Sequence, residues 1–229
     1  MLKGVDLSVR EGETVALVGR SGSGKSTLAH ILAGVLTPLA GEVRFQGVKL
    51  KGNNLSSRPG GIQIVFQDPF SALSHRFRVL EAVREPLDIN RLGPPEEREE
   101  KVKEALAAVQ LPIDEGFLGR FCCELSGGQR QRVCIARALV MEPKLLIADE
   151  ITSALDVSTQ ANLLRLLKGL QNSRGFAMLL ITHNMTLALK VAERLLVLEN
   201  GILQERFLLE CSVNYKICAD KASFSAIRA

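Results

Sequence analysis

Runs with a period of two and runs with a period near 3.6 take turns along this chain. The first unbroken apolar run is Thr14-Val15-Ala16-Leu17-Val18, and a glycine-rich stretch separates it from the helical pattern of Thr27-Leu28-Ala29-His30-Ile31-Leu32. Upstream, residues 2–10 alternate, with Val5, Leu7 and Val9 on one face, and Glu11-Gly12-Glu13 turns back into the apolar run. This predicts an opening antiparallel hairpin. Gly34 and Pro38 stop the first helix, Glu42-Val43-Arg44-Phe45 and Val48-Lys49-Leu50 read as a second hairpin around Gln46-Gly47, and residues 53–61 read as turn-rich loop.

Ile62-Gln63-Ile64-Val65-Phe66 is a strand that stops at Gln67-Asp68-Pro69, after which the helical period holds to Leu118. Inside that stretch Leu92-Gly93-Pro94-Pro95 is a break, and residues 96–110 form a helix with Val102, Leu106 and Val109 inward and a charged, solvated face over residues 96–103. Leu125-Ser126-Gly127-Gly128-Gln129 opens a further helix over 130–141, with Val133, Ala136, Leu139 and Val140 buried. Then come a strand at Leu145-Leu146-Ile147-Ala148 followed by Asp149 and Glu150, a helix over 157–171, and a strand over 177–181 ending in Thr182-His183. A helix over 186–193 and a strand over 195–198 complete the pattern. Apolar strands alternating with helices predict an α/β fold around a parallel sheet, with antiparallel hairpins at the N-terminal end and an inserted helical subdomain. The expected division is a core of residues 1–67 and 126–205, a helical piece of 68–125, and a tail of 206–229.

Composition narrows the partners. Of 229 residues 46% are hydrophobic and 24% charged, and the net charge of +4 is spread among acids, which gives no ground for a nucleic-acid partner. The five cysteines (Cys122, Cys123, Cys134, Cys211 and Cys218) lack C-x-x-C spacing, and read as reduced cytoplasmic thiols rather than a metal or redox pair. No apolar run approaches the roughly 18–20 residues of a membrane span, so service to a membrane is expected to pass through a partner.

The chemistry gathers at loops that follow strands. Gly19-Arg20-Ser21-Gly22-Ser23-Gly24-Lys25-Ser26 fits GxxxxGK[ST] between a strand and a helix that continues into Thr27. In that setting the backbone N–H groups wrap a polyphosphate, the helix dipole favours the same anion, Lys25 reaches the β- and γ-phosphates, and the Ser26 hydroxyl ligates Mg²⁺. The plain alternative is a glycine-rich turn that binds nothing. Two acids after an apolar strand suit separate tasks: Asp149 holds Mg²⁺ through its water shell, and Glu150 orients and deprotonates an attacking water. A solvated turn is the competing reading. Ser126-Gly127-Gly128 is a second glycine-rich helix start suited to an anion. His183 stands alone at a strand end, where an ordinary surface or core histidine is the alternative.

Five motifs in this order resemble the ATP-binding subunit of an ATP-binding-cassette (ABC) transporter, from residue 2 to about 201: the loop at 19–26, Gln67, the LSGGQ of residues 125–129, Asp149-Glu150, and His183. The resemblance implies an ATPase in which Gln67 contacts Mg²⁺ and the lytic water, and His183 contacts the γ-phosphate. It also implies head-to-tail pairing with a second cassette, so that Ser126, Gly127, Gly128 and Gln129 close on a nucleotide held by the partner, with Ser153-Ala154-Leu155-Asp156 across the interface. Integral-membrane permease subunits on the cytoplasmic face, with a coupling helix beside Gln67, and an extracytoplasmic substrate-binding protein reached through the permease belong to the same expectation. Phe66-Gln67-Asp68-Pro69-Phe70-Ser71-Ala72-Leu73 and Glu85-Pro86-Leu87 resemble the importers of peptides and of nickel or other metal chelates.

The sequence departs from that pattern at Ile151, where the family has Pro, and at Asn184, where it has Asp. It starts without the family's first strand and its adenine-stacking aromatic, since the sole tyrosine is Tyr215, and residues 202–229 no longer resemble the subgroup. Weak, poorly adenine-selective binding is the expectation that follows. Arg130 and Arg137 read as structural. Two other readings compete: a soluble ABC ATPase working on DNA or ribosomes, and a truncated module that binds ATP with little turnover.

Overall fold

The computed structural model describes residues 2–50, 58–153 and 155–206. Most of the loop expected at 53–61, Ala154, Cys211, Tyr215, Cys218 and the tail after residue 206 lie outside the described residues. The strands are β1 (Thr14–Val18), β2 (Arg44–Phe45), β3 (Val48–Lys49), β4 (Ile62–Val65), β5 (Leu145–Asp149), β6 (Ala177–Thr182), β7 (Arg194–Glu199) and β8 (Ile202–Arg206). The helices are α1 (Lys25–Leu32), α2 (Pro69–Ala72), α3 (Val79–Ile89), α4 (Pro95–Ala108), α5 (Glu115–Leu118), α6 (Gly127–Leu139), α7 (Val157–Arg174) and α8 (Met185–Val191).

Six strands form one sheet in the order β4-β5-β6-β1-β7-β8, parallel throughout except for the β7–β8 pair. The apolar strands are explained by burial on both faces. Along β1, Val15 and Leu17 pack with Leu28 and Ala29 of α1, whereas Ala16 and Val18 pack with Ala188 of α8. Along β5 and β6, Ile147 and Leu179 join the α1 side, while Leu146 and Met178 join Leu163 and Leu167 of α7 and Leu139 of α6. That second cluster runs on without interruption into the helices between β4 and α6, through Val79 and Val83 of α3 and Val102 and Leu106 of α4. The start of β1 is pinned by polar groups: Thr14 N donates to Glu193 Oε2 at 2.6 Å, and Thr14 Oγ1 to Gln171 Oε1 at 2.7 Å.

The second expected hairpin is present as β2–β3, with Gln46 and Gly47 both at positive φ (48° and 78°), the two-residue turn that matches strand twist. The first is not formed. Residues 2–10 keep the expected alternation, with Val5, Leu7 and Val9 half-buried against the α1-side core and their neighbours exposed. Yet among the described residues no strand runs beside them, and an alternating segment without a ladder partner is not a strand; Lys3 N bonds Gly201 O at 2.8 Å instead. Residues Ile202–Arg206, for which no strand is expected, form an edge strand, with Leu198 opposite Leu203. The hairpin between β7 and β8 turns on Asn200 (φ 52°) and Gly201 (φ 81°). Helix α6 starts earlier than expected, with Ser126 as its N-cap. Cys122 and Cys134 are free thiols in the core, and burial pushes them up to about 11 and about 12.

Candidate active site

Four of the parallel strands end at one edge of the sheet, where ligands of open α/β sheets bind. There β1 runs into Gly19, β4 into Gln67, β5 into Glu150 and β6 into His183. Pairing fixes their level, because Val18 lies opposite Thr182, and Asp149 opposite Ile181.

The loop from Gly19 to Gly24 is shaped by what it must avoid. A side chain on Gly19 would place its Cβ 2.4 Å from the Leu198 carbonyl oxygen, and Gly22 and Gly24 hold φ of 79° and 104°. Gly24 is the N-cap of α1, so the helix opens on the loop without a side-chain cap. Lys25 is 5% exposed. Its ammonium donates to the Gly19 and Arg20 carbonyls at 3.0 and 3.1 Å and pairs with Glu150 Oε1 at 3.4 Å. Ser23 Oγ is buried with no partner, and a cleft of about 260 Å³ opens between Gly19, Arg20, His183 and Leu198. Inward donors beside an open cleft are the setting in which such a loop holds a phosphate chain.

Asp149 is 4% exposed, and its Oδ1 is buried without a partner. Desolvation holds its carboxyl above the usual carboxylate range, opposed by a hydrogen bond from the Ser26 hydroxyl and reinforced by the charge of Glu150. An unfilled carboxylate oxygen beside a hydroxyl is the hard-oxygen donor set that Mg²⁺ takes, and the ion's charge would offset the burial. The next residue, Glu150, has φ 47°, a left-handed conformation that costs a non-glycine residue roughly 1–2 kcal/mol and concentrates at functional sites. Two backbone bonds hold it, Glu150 N to Ile181 O at 2.9 Å and Ser153 N to Glu150 O at 3.0 Å. Its carboxylate lies between Lys25 and His183, with Oε2 3.4 Å from His183 Nδ1. Asn184, the departure from the expected Asp, caps α8 by accepting from Leu187 N at 3.2 Å.

Gln67 is exposed just past β4, and its amide nitrogen reaches Ser153 Oγ at 3.5 Å. Phe66, the residue before it, meets the ring of His30 on α1 with centroids 5.7 Å apart. His30 is not among the expected site residues, and Ser153 is expected only as part of the loop across the interface. The signal for His30 was its place four residues beyond Ser26, on the same helix face.

Gly19 through Thr27, Gln67, Asp149, Glu150 and His183 thus come together at one edge. Ser126, Gly127, Gly128 and Gln129 are placed elsewhere, at the head of α6. There Ser126 and Gln129 form a reciprocal cap, Ser126 N to Gln129 Oε1 at 3.1 Å and Gln129 N to Ser126 Oγ at 3.3 Å. A Cβ on Gly127 or Gly128 would meet nothing within 4 Å, so this chain's own packing does not require glycine at either position. Arg130 is spent on the carbonyls of Cys122, Cys123 and Leu125 and lies over the Phe70 ring, and Arg137 pairs with Glu85. Both keep the structural role expected of them.

Comparison with known proteins adds identity to this geometry. Residues 2–153 match the family described as ABC transporter. The nickel import ATP-binding protein NikE of Brucella abortus (strain 2308) is 44% identical over 208 residues, covering 90% of this chain and 77% of its own length. That of Shigella sonnei (strain Ss046) is 42% identical over 229 residues, covering 99% and 81%. Among solved structures, an ATP-binding cassette captured as a dimer in a post-hydrolysis state with ADP and Pi superposes with a TM-score of 0.78 at 36% identity, covering 90% of each chain. The cbiO1 protein of Clostridium perfringens, part of the ABC transporter complex cbiONQ, gives 0.82 at 29% identity, covering 96% of this chain and 86% of its own.

Proposed function

The chain belongs to the ABC transporter family of ATPases, and from that premise we propose that it is the ATP-hydrolysing subunit of an importer for nickel or a related metal chelate, with Glu150 as its catalytic base. The observation that carries this reading is the Glu150 carboxylate held between Lys25 and His183, one residue from a buried carboxylate with an unfilled oxygen. In this scheme the N–H groups of the loop from Gly19 to Lys25 cradle the phosphates, and the Lys25 ammonium turns to the β- and γ-phosphate oxygens. Ser26, Asp149 and Gln67 would hold Mg²⁺, which when bound neutralises charge developing on the β- and γ-oxygens. Glu150 Oε2 accepts the proton of a water whose oxygen attacks the γ-phosphorus, the bond to the bridging oxygen breaks, and ADP and phosphate result. His183, beside the same oxygen, fixes the carboxylate and meets the γ-phosphate.

The relatives' names support nickel over peptides as cargo. Open glycines at the head of α6, together with a solved relative that is a dimer, support closure of Ser126–Gln129 on the nucleotide of a second cassette. Among the described residues no helix is long and apolar enough to cross a membrane. The membrane step is assigned to permease subunits, docked on the helical piece of residues 68–125 at the cytoplasmic face.

The test is uptake of radioactive nickel and ATP turnover in the transporter reconstituted with its permease. Glu150→Gln should retain ATP binding and lose on the order of 10²-fold or more in turnover, with uptake lost in parallel. Lys25→Ala should weaken ATP binding itself. Turnover within about twofold of the parent for Glu150→Gln would remove that residue from its role, and active turnover without nickel uptake would remove the cargo.

A further inference from the structure

His30 sits where three parts of the site meet. It shares a face of α1 with Ser26, one turn earlier. On the same helix Leu28 and Ala29 pack with Ile147 of β5, two residues before Asp149. Its ring packs on Phe66 at 5.7 Å and 59°, within the range of tilted aromatic pairs. Phe66 lies beyond the last residue of β4 and is 37% exposed. Gln67, next in sequence, is tied to Ser153 only by a long contact of 3.5 Å. On the His30 side the carbonyl accepts from Val35 N at 2.8 Å and Leu36 N at 3.1 Å, closing the end of α1.

We propose that His30 is a positioning residue for hydrolysis: its ring clamps Phe66, and through Phe66 sets the backbone at Gln67 in register with Ser26 and Asp149. The inference rests on the ATPase reading of the site and adds a connection between the phosphate-loop helix and the segment that follows β4. A clamp of this kind acts on the placement of Gln67 rather than on nucleotide capture, so its loss lowers turnover and leaves binding intact.

Steady-state ATPase assays on the reconstituted complex separate this from simple packing. His30→Leu keeps apolar volume and the fold but removes the ring. It should lower kcat by roughly five- to tenfold with KM for ATP within about twofold of the parent, while ATP-binding stoichiometry on the same preparation stays at the parent value. His30→Phe should restore kcat to within about twofold. Phe66→Leu should slow turnover as His30→Leu does, and the double variant should be no slower than either single one, since both remove one contact. A His30→Leu enzyme as fast as the parent, a His30→Phe enzyme as slow as His30→Leu, or effects that multiply in the double variant would each overturn the clamp. A parent complex whose ATPase is unaffected by Glu150→Gln would instead overturn the hydrolytic reading, and the clamp with it.

Discussion

Asp149 carries its charge where water barely reaches, and this makes it a cost to the fold as well as a resource for the site. Its folded-state carboxyl is raised above the unfolded value, chiefly by desolvation. The folded state therefore binds the proton more tightly than the unfolded one. The ionised group lowers stability above the raised folded value, and the loss fades as pH falls through that value to the ordinary carboxylate range. Asp149→Asn should then raise the melting temperature of the Mg²⁺-free chain by roughly 2–4 °C near neutral pH. The gain should vanish near pH ~3.5, below both values, and scanning calorimetry at the two pH values checks it. At this scale the residues legible in the sequence were those whose chemistry is local. The loop from Gly19 to Lys25 needs only its own glycines and the following helix, and Asp149-Glu150 needs only the strand before it. The packing of His30 on Phe66 and the contact of Gln67 with Ser153 were not legible, because they join α1, the end of β4 and the loop after β5.

Helix α6 shows how an element can be read correctly in kind and wrongly in extent. Its apolar period marked Val133, Ala136, Leu139 and Val140, all of them buried. The helix is expected over 130–141, after Gly127 and Gly128, and glycine by itself disfavours helix. The reciprocal Ser126–Gln129 cap outweighs that preference and draws Gly127 and Gly128 into the first turn. Leu139, wholly buried at the far end, joins a cluster shared by the helices of 68–125 and by the sheet. Leu139→Ala should cost about 2–5 kcal/mol, seen as a lower urea midpoint with an unchanged m-value. The opening segment and β8 failed in opposite ways. Alternation in residues 2–10 reported correctly which side chains face the core but said nothing about a hydrogen-bonding neighbour. Asn200-Gly201 is a hairpin signal between two strand-like runs, and it turns β7 into β8.

For the whole molecule, α/β architecture and the gathering of strand-end residues at one edge of the sheet followed from alternating strands and helices. Strand order did not, because nothing local in Thr14–Val18 says which strands flank it. The two anion-suited helix starts, α1 and α6, are the feature with the widest reach. Glu150→Gln protein with ATP should sediment as a dimer, and adding Ser126→Arg should return it to monomer by placing a bulky cation where the partner's nucleotide docks. A monomer with ATP still bound would mean that the head-to-tail pairing is wrong or that the second cassette is a different chain. The place of β1 between β6 and β7 has a consequence in time rather than in space. Thr14–Val18 is made early, but both of its partners lie beyond residue 176, so on the ribosome this apolar strand must wait for most of the chain before either edge is paired. Through that interval it is an unpaired apolar stretch open to chaperones and to aggregation, and folding that hinges on contacts this distant in sequence is intrinsically slow. The strand that later presents the phosphate loop is thus made long before either of the strands that will flank it.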